Sequence, residues 1–176
     1  MKGIYLASFR ANHPNWDIVY QDIDGKRDIG GDMMDVDLSN YDFIIATPPC
    51  NYYSRANYRR ETSEYSQITK HLLPDILRKL CNQNKPFIVE NVRSSRLFKE
   101  LGLFDLPCYV HFVGRHTYWT NCLCDFSSIK QKPKTIIRED GKHIWLSSQN
   151  TSRAKRQGGE EVHEVIETWL KGLYEK

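Results

Sequence analysis

The chain of 176 residues predicts one α/β domain built on a largely parallel sheet. Several short runs are apolar on both faces, as the buried strands of parallel sheets are. A long segment with helical spacing lies between two of these runs, which is the pattern of a parallel crossover connection. The length corresponds to one domain at about 150 residues each. These three observations set the fold class.

The first half of the chain predicts five strands and one helical segment. The strands are residues 4–7, 18–20, 33–36, 43–46 and 87–89. Leucine and isoleucine recur at helical spacing over residues 61–84, which predicts a helix there. Pro74 lies inside that segment and predicts a kink or a break.

The second half predicts shorter strands and a closing helix. Residues 109–113 and 117–120 predict strands, and so do residues 134–137 and 143–146. The last two flank an Asp-Gly pair, which is a hairpin turn signal. Residues 159–173 have the apolar spacing of an amphipathic helix.

Composition excludes several classes of protein. No apolar run approaches the roughly 18 residues of a membrane span. The first ten residues lack the apolar core of a signal peptide, so we expect a cytoplasmic protein. The five cysteines are odd in number and irregularly spaced, which favours reduced thiols over a disulfide framework. They are Cys50, Cys81, Cys108, Cys122 and Cys124.

The charge is unevenly distributed along the chain. Residues 1–47 hold 4 Lys or Arg and 8 Asp, whereas residues 48–176 hold 21 basic and 14 acidic side chains. A basic later part permits a polyanion partner such as a nucleic acid. Many mildly basic surfaces bind no polyanion, so charge alone does not decide the partner.

A cysteine follows a buried strand and two prolines. Cys50 comes directly after Pro48 and Pro49, which follow the strand at 43–46. Ligands of open α/β sheets bind outside the carboxyl ends of the strands. A thiolate on this stiff loop is a candidate nucleophile. The alternative is a buried structural cysteine.

Two other strand ends bring polar side chains to the same edge. Glu90 and Asn91 follow the strand at 87–89, and a carboxyl group in a partly desolvated pocket can donate a proton near neutrality. Arg115 lies at a later strand end and suits a phosphate or a base carbonyl. The alternatives are a glutamate that caps a helix or pairs with Arg93, and an exposed arginine.

Taken together, these motifs resemble the DNA cytosine carbon-5 methyltransferase family, and the likeness is closest to its small phage-type members. Pro48-Pro49-Cys50 followed by Ser54 resembles the family's catalytic loop, and Glu90-Asn91-Val92 resembles its Glu-Asn-Val motif. Arg115 resembles the arginine of a later motif. The resemblance implies a Rossmann-like methyltransferase sheet, and it places a phage-encoded member in the host cytoplasm.

The resemblance also implies roles for the catalytic residues. Cys50 would attack carbon 6 of a cytosine flipped out of DNA, and Glu90 would protonate ring nitrogen 3. Asn91 would orient the loop or bind the exocyclic amine. Arg115 would hold the base carbonyl or a flanking phosphate.

Cofactor and DNA contacts follow from the same resemblance. The methyl donor would be S-adenosylmethionine, held by residues at four places: Phe9, Asp22, Asp32 (after Gly31) and Pro48. Asp22 would bind the ribose and Asp32 the adenine amino group. The aromatic and basic run after Cys50 would contact DNA through Ser54, Arg55, Tyr58 and Arg59. A flexible solvated loop is the alternative for that run.

One family motif is missing. The family's glycine-rich loop would follow the first strand, where residues 7–16 contain no glycine. The first two strands are also too close for the usual crossover helix. The sheet is therefore expected to be reduced at its N-terminus. The cofactor pocket is then built differently, is completed by another chain such as a homodimer partner, or is lost.

Two other functions stay open for this reason. One is a cytosine-modifying enzyme that does not use S-adenosylmethionine. The other is a catalytically inactive DNA-binding or regulatory derivative.

The resemblance divides the chain into three parts. Residues 1–121 would form the catalytic core, residues 122–150 a short β-rich target-recognition segment, and residues 151–176 a helix packed on the core. Cys108, His111, Cys122 and Cys124 are candidate zinc ligands. Their spacing is irregular, so we expect free thiols and no metal.

Overall fold

The computed structural model describes residues 1–8, 11–101, 106–129, 135–137, 143–145 and 151–175. Its centre is a seven-stranded sheet. The strands are β1 (Gly3–Leu6), β2 (Ile18–Asp22), β3 (Ile29–Gly30), β4 (Phe43–Ala46), β5 (Phe87–Val92), β6 (Tyr109–Val113) and β7 (His116–Thr120). They lie in the order β3-β2-β1-β4-β5-β7-β6.

The pairing is mostly parallel. Strands β1 to β5 pair in parallel, and β7 runs antiparallel between β5 and β6. This sheet confirms the predicted α/β class and is consistent with a Rossmann-like methyltransferase fold. A separate hairpin joins β8 (Thr135–Ile137) to β9 (His143–Trp145), with Ile136 opposite Ile144.

Four helices accompany the sheet in the described residues: α1 (Glu64–Thr69), α2 (Leu72–Cys81), α3 (Ser95–Leu101) and α4 (Thr151–Tyr174). The helix predicted over residues 61–84 is split into α1 and α2. Pro74 lies in the first turn of α2, where its missing N–H would have no partner within the helix. The proline therefore begins a helix rather than kinking one.

Helices cover both faces of the sheet. On one face, α2 buries Leu73, Ile76, Leu77 and Leu80 against Ile44 and Ala46 of β4. On the other, α4 buries Val165, Ile166, Trp169 and Leu170 against Phe43 and Ile45. Because alternate residues of β4 face two cores, the strand reads as continuously apolar. None of the helices in the described part of the chain is long and apolar enough to cross a membrane.

The strand predicted at residues 33–36 is wrong. That segment forms turns, and the third strand is instead the two-residue β3. The Asp32 carboxylate accepts a hydrogen bond from the Met34 N–H at 2.8 Å, and the Asp35 N–H donates to the Asp32 carbonyl at 3.1 Å. An aspartate that bonds the backbone two residues on favours a turn over a ladder. Helix α3 was not predicted.

The connection from β1 to β2 is short. Its described residues, 7–8 and 11–17, form turns and no helix. The sheet therefore lacks a crossover helix at that place, as expected from the spacing of the first two strands.

Candidate active site

The carboxyl ends of β4 and β5 lie side by side, with Ala46 paired to Val89. The loop that carries Cys50 leaves from the first of these ends, and Glu90 and Asn91 occupy the second. Parallel pairing is what brings residues 40 positions apart to one edge. Fully buried apolar neighbours fix both strands, so the polar side chains at their ends have defined positions.

Asn91 fastens the cysteine loop to the sheet. It is fully buried, and its Nδ2 donates to the carbonyl of Pro48 at 3.0 Å. Its Oδ1 accepts from the N–H of Val92 at 3.0 Å. The amide thus bonds the backbone on both sides, and this contact supports the loop-orienting alternative for Asn91.

Cys50 lies within electrostatic range of Glu90. Burial and the negative charge of Glu90 raise the pKa of the Cys50 thiol to about 11, although a hydrogen bond of its own backbone lowers it. A protonated Glu90 would remove the second of these causes. The thiol therefore becomes easier to ionise when the neighbouring carboxyl group is neutral.

Burial also raises the pKa of Glu90 itself. The positive charge of His116 opposes this rise, and the negative charge of Glu161 adds to it. A carboxyl group with a raised pKa holds its proton closer to neutrality, which suits a general acid.

His116 lies between two glutamates. Its Nε2 is 3.8 Å from Glu90 Oε1, and its Nδ1 is 2.8 Å from Glu161 Oε1. The histidine belongs to β7 and Glu161 to α4. The exposed fractions of the three side chains are 14%, 14% and 10% for His116, Glu90 and Glu161. The sequence motifs assign no role to His116 or Glu161.

Arg115 lies in the turn between β6 and β7, next to the end of β5. Its carbonyl accepts from the N–H of Arg93 at 2.7 Å, and its side chain is exposed. Its positive charge lowers the pKa of His116, which places the guanidinium within range of the buried cluster. Arg115 thus borders the same edge as Glu90.

The predicted DNA-contacting residues lie on the loop of residues 47–63. Ser54 is half-buried, and its N–H donates to the carbonyl of Cys50 at 2.9 Å. Arg55 and Arg59 are exposed, as is 79% of Tyr58. The Arg59 guanidinium lies 5.5 Å from the centre of the Tyr58 ring. This pair offers a flat cationic surface to solvent, which suits a stacked base.

The predicted cofactor residues lie on the other side of this edge. Asp22 ends β2, is half-buried, and accepts from the N–H of Ile23 at 2.8 Å. Asp32 is exposed and lines a cleft of about 470 Å³ formed with residues 29–31, 35–37 and 40–41. Pro48 is buried, and Phe9 lies outside the described residues.

Tyr65 links the two sides. Burial and the charges of Asp22 and Cys50 raise its pKa, so the phenol lies within range of both. It belongs to α1 and is 52% exposed. Sequence reasoning missed Tyr65, because an exposed tyrosine on a helix carries no signal of its own.

The turn after β1 is held without glycine. Ala7 has a φ of 52°, a left-handed conformation that favours glycine. Its N–H donates to Gln21 Oε1 at 2.9 Å, and its carbonyl accepts from Thr47 Oγ1 at 2.9 Å. The guanidinium of Arg27 bonds Ser8 and the carbonyl of Ala11. These contacts replace the backbone freedom that glycines would supply.

Helix α4 holds the rest of this connection. Glu167 bonds His13 Nδ1 at 2.5 Å and Trp16 Nε1 at 3.0 Å. His13, His163 and Glu167 form the one group in the described residues with three ligand atoms within 4.8 Å of one another. The two rings are stacked at 4.4 Å and 11°. A metal lies in the plane of each imidazole that binds it, and these nearly parallel planes disfavour a shared ion.

Residues 4–101 match the family model of the C-5 cytosine-specific DNA methylases. The chain belongs to this family. The comparison with curated proteins finds no match. DNA is the expected substrate of such a methylase, and methylases of this family generally use S-adenosylmethionine.

The methylase match covers part of the site. It includes the strands β1 to β5 and the residues Asp22, Asp32, Cys50, Glu90 and Asn91. His116 and Glu161 lie beyond its end, on strand β7 and helix α4. The zinc alternative gains no support, since Cys108, His111, Cys122 and Cys124 form no such ligand group among the described residues.

Proposed function

We propose that the protein transfers a methyl group to carbon 5 of cytosine in DNA, with Cys50 as the nucleophile. The observation that carries this proposal is the meeting of Cys50 and Glu90 at one sheet edge, in a chain of the C-5 cytosine-specific DNA methylase family. Neither residue type is informative alone. Together they suit a ring that must be attacked at one atom and protonated at another.

The proposed steps use the residues of this edge. The Cys50 thiolate forms a bond to carbon 6 while the acid form of Glu90 gives its proton to nitrogen 3. The electron pair then moves to carbon 5, which becomes nucleophilic. After methyl transfer, water takes the carbon 5 proton, and the electron pair of that bond re-forms the double bond between carbons 5 and 6. The carbon–sulfur bond breaks to release the Cys50 thiolate, and the nitrogen 3 proton returns to Glu90.

Other residues act through position. Asn91 keeps the Pro48 carbonyl, and with it the cysteine loop, against β5. Arg115 would bind the base carbonyl or a neighbouring phosphate, and Tyr58 with Arg59 would stack on an unpaired base. Arg55 would contact phosphate, and Ser54 stabilises the turn that follows Cys50.

The residues fit the nucleoside part of S-adenosylmethionine. The Oδ1 of Asp22 accepts a backbone hydrogen bond, and so does the Oδ1 of Asp32 beside an open cleft. Carboxylates of this kind accept from ribose hydroxyls and from an adenine amino group. When bound, the donor supplies an electrophilic methyl group. Pro48 and Phe9 would complete the cofactor side, and a second copy of the chain could close the part that the short connection leaves open.

The test is covalent trapping on cytosine DNA that carries fluorine at carbon 5. With S-adenosylmethionine present, carbon 5 carries the methyl group and fluorine after transfer and has no proton to lose. The carbon–sulfur bond therefore cannot break, and an adduct should resist a denaturing gel. Cys50→Ala should form none. Cys81→Ala, which changes another half-buried thiol, should react as the unmodified protein does. An adduct that survives Cys50→Ala would overturn the assignment of the nucleophile.

A second candidate keeps the cytosine chemistry without this donor. It is favoured by the glycine-free connection, where the guanidinium of Arg27 bonds Ser8 and Ala11. Calorimetry with S-adenosylmethionine separates the two: binding in the micromolar range supports the methylase, and no binding by monomer or dimer favours the second candidate. Salt-dependent DNA binding without any adduct would instead indicate an inactive derivative.

A further inference from the structure

We propose that His116, held by Glu161, is a positioning residue for Glu90: its imidazolium stabilises the carboxylate that Glu90 becomes once it has given its proton to the cytosine. This inference rests on the proposed function. It adds a charged partner to the general acid and recruits α4, which lies outside the matched methylase segment.

The contacts of His116 set the orientation of its imidazole. Nδ1 is 2.8 Å from Glu161 Oε1, and a carboxylate only accepts, so Nδ1 carries a hydrogen. The other nitrogen, Nε2, is then turned toward Glu90 Oε1 at 3.8 Å. Glu161 therefore fixes the ring so that any second proton faces the general acid.

Glu161 lies beside the turn that precedes β7. It is buried and packs against the turn at Gly114. A Cβ on Gly114 would lie 2.1 Å from Glu161 Oε2, and the glycine has a φ of 54°. A side chain at position 114 would displace the Glu161 carboxylate, and the left-handed backbone favours glycine. Gly114 thus leaves room for the glutamate beside His116.

Charged groups surround the imidazole ring of His116. Glu90 faces His116 from β5, Glu161 faces it from α4, and Arg115 adjoins it in the turn. The ring of Tyr118 lies 6.4 Å away on β7. Burial lowers the pKa of His116, but the hydrogen bond to Glu161 and the charges of both glutamates outweigh it and the pKa is raised. While Glu90 is protonated, the hydrogen bond and the charge of Glu161 favour the cation, and the carboxylate of Glu90 adds to them once Glu90 has given up its proton.

The surroundings of Glu90 lead to the same conclusion. Tyr5 on β1 and Tyr118 on β7 lie within its electrostatic range, as does Cys50. None of these three groups is positively charged. When Glu90 loses its proton, the nearby positive charge that opposes its raised pKa is that of His116. The imidazolium keeps both of its protons throughout, so the cluster changes charge only by the proton that moves between Glu90 and the base.

The direct test follows the imidazole in the free protein by NMR titration. We expect the pKa of His116 to lie above 6.5 and to fall in both Glu161→Gln and Glu90→Gln. His111 on β6, whose pKa is lowered by burial, serves as the internal control, and its pKa should be the same in all three proteins. A His116 pKa below 6.5 in the unmodified protein would overturn the proposal.

The functional test uses the pH profile of methyl transfer. His116→Gln should lower kcat on the order of 10- to 100-fold, less than the loss of one direct catalytic donor, with KM for DNA unchanged. Glu161→Gln should shift the alkaline limb of the profile to lower pH. His116→Arg, whose charge is permanent, should retain activity at alkaline pH.

The controls separate this inference from the function on which it rests. His111→Gln changes a half-buried histidine on β6 and should leave the profile unchanged. If the unmodified protein forms no Cys50 adduct, the proposed function fails and the inference fails with it. If the adduct forms and His116→Gln has the unmodified kcat and profile, only the inference is wrong.

Discussion

Two histidine–glutamate pairs join helix α4 to the two sides of this site. On the side of Cys50, Glu161 bonds His116 at 2.8 Å. On the side of the β1–β2 connection, Glu167 bonds His13 at 2.5 Å. The pairs use the same chemical groups and the same helix. However, the pKa of His116 is raised and that of His13 is lowered.

The number of carboxylates explains the difference. His13 is 1% exposed, and burial lowers its pKa more than the bond to Glu167 raises it, while the charge of His163 lowers it further. His116 faces a second carboxylate, Glu90, and its pKa is raised. In the proposed reaction, the first side would keep a cation near Glu90. On the other side, a histidine with a lowered pKa holds a connection that lacks its helix.

The largest expected effect distinguishes the two sides by kinetics. Glu90→Gln removes the proposed acid and should lower kcat about 10²- to 10⁴-fold, with little change in KM for S-adenosylmethionine. Asp22→Asn should do the reverse, because it weakens a charged hydrogen bond to the donor by about 1.5–3 kcal/mol and raises that KM. Steady-state assays with each substrate varied measure both effects.

Asp24→Asn is the matched control for Asp22→Asn. Its carboxylate pairs with Lys26 at the surface, so neither kinetic constant should change. A fall in kcat with Asp22→Asn, at unchanged KM for the donor, would contradict the assignment of donor binding to Asp22 and of acid catalysis to Glu90.

The next effect concerns the bond between the loop and the sheet. Asn91→Ala leaves the carbonyl of Pro48 without its donor and should lower the free energy of unfolding by about 1–3 kcal/mol, since the group is buried. It should also lower kcat, because the loop that carries Cys50 loses its fixed position against β5. Urea denaturation and single-turnover assays measure the two.

Asn57→Ala tests the same loop at its outer side. Asn57 Nδ2 bonds the carbonyl of Asn51 and the hydroxyl of Ser66. Because the first of these bonds is exposed to water, the variant should cost less, about 0.5–1.5 kcal/mol. Equal effects on kcat in both variants would mean that the anchor at Asn91 has no special role.

The sequence predicts the Cys50 side far better than the connection. Phe87 to Val89 and Phe43 to Ala46 are apolar on both faces, and the polar residues that follow such strands must meet at one edge. That logic needs only neighbouring residues. It therefore gives the position of Cys50, Glu90 and Asn91 relative to the sheet.

The remainder depends on long-range contacts that leave no local pattern. Glu161 contacts His116 across 45 positions, and Glu167 contacts His13 across 154. A periodicity of apolar residues predicts α4 but not which of its polar residues face the sheet. The turn at residues 33–36 was misread for the converse reason, because two methionines and a valine suggested a strand and the Asp32 side chain overrode them.

A smaller effect tests the opposite titration of the two histidines. A histidine with a lowered pKa adds stability that is complete above 6.5 and is lost as the pH falls, so His13→Gln should flatten the acid side of the stability curve. A histidine with a raised pKa adds stability that is complete below 6.5 and is lost as the pH rises through its folded value. In His116→Gln, the free energy of unfolding should therefore no longer fall on the alkaline side of the stability curve. Urea denaturation between pH 5.5 and about 8.5 measures both, and changes of the same sign would contradict the comparison.

The smallest expected effect tests whether the connection from β1 to β2 keeps the backbone turn of a glycine-rich loop. Ala7 has a φ of 52°, which costs a residue with a Cβ about 1–2 kcal/mol. Ala7→Gly relieves this and loses about 0.5–1 kcal/mol to chain entropy, so the net gain in stability should be about 1 kcal/mol or less. Ala46→Gly, in the buried strand β4, has no such strain and should destabilise. If Ala7→Gly also destabilises, the hydrogen bonds with Gln21 and Thr47 hold a turn that does not need the conformational freedom of glycine. The donor side would then have its own backbone structure and would not be a glycine-rich loop that has lost its glycines.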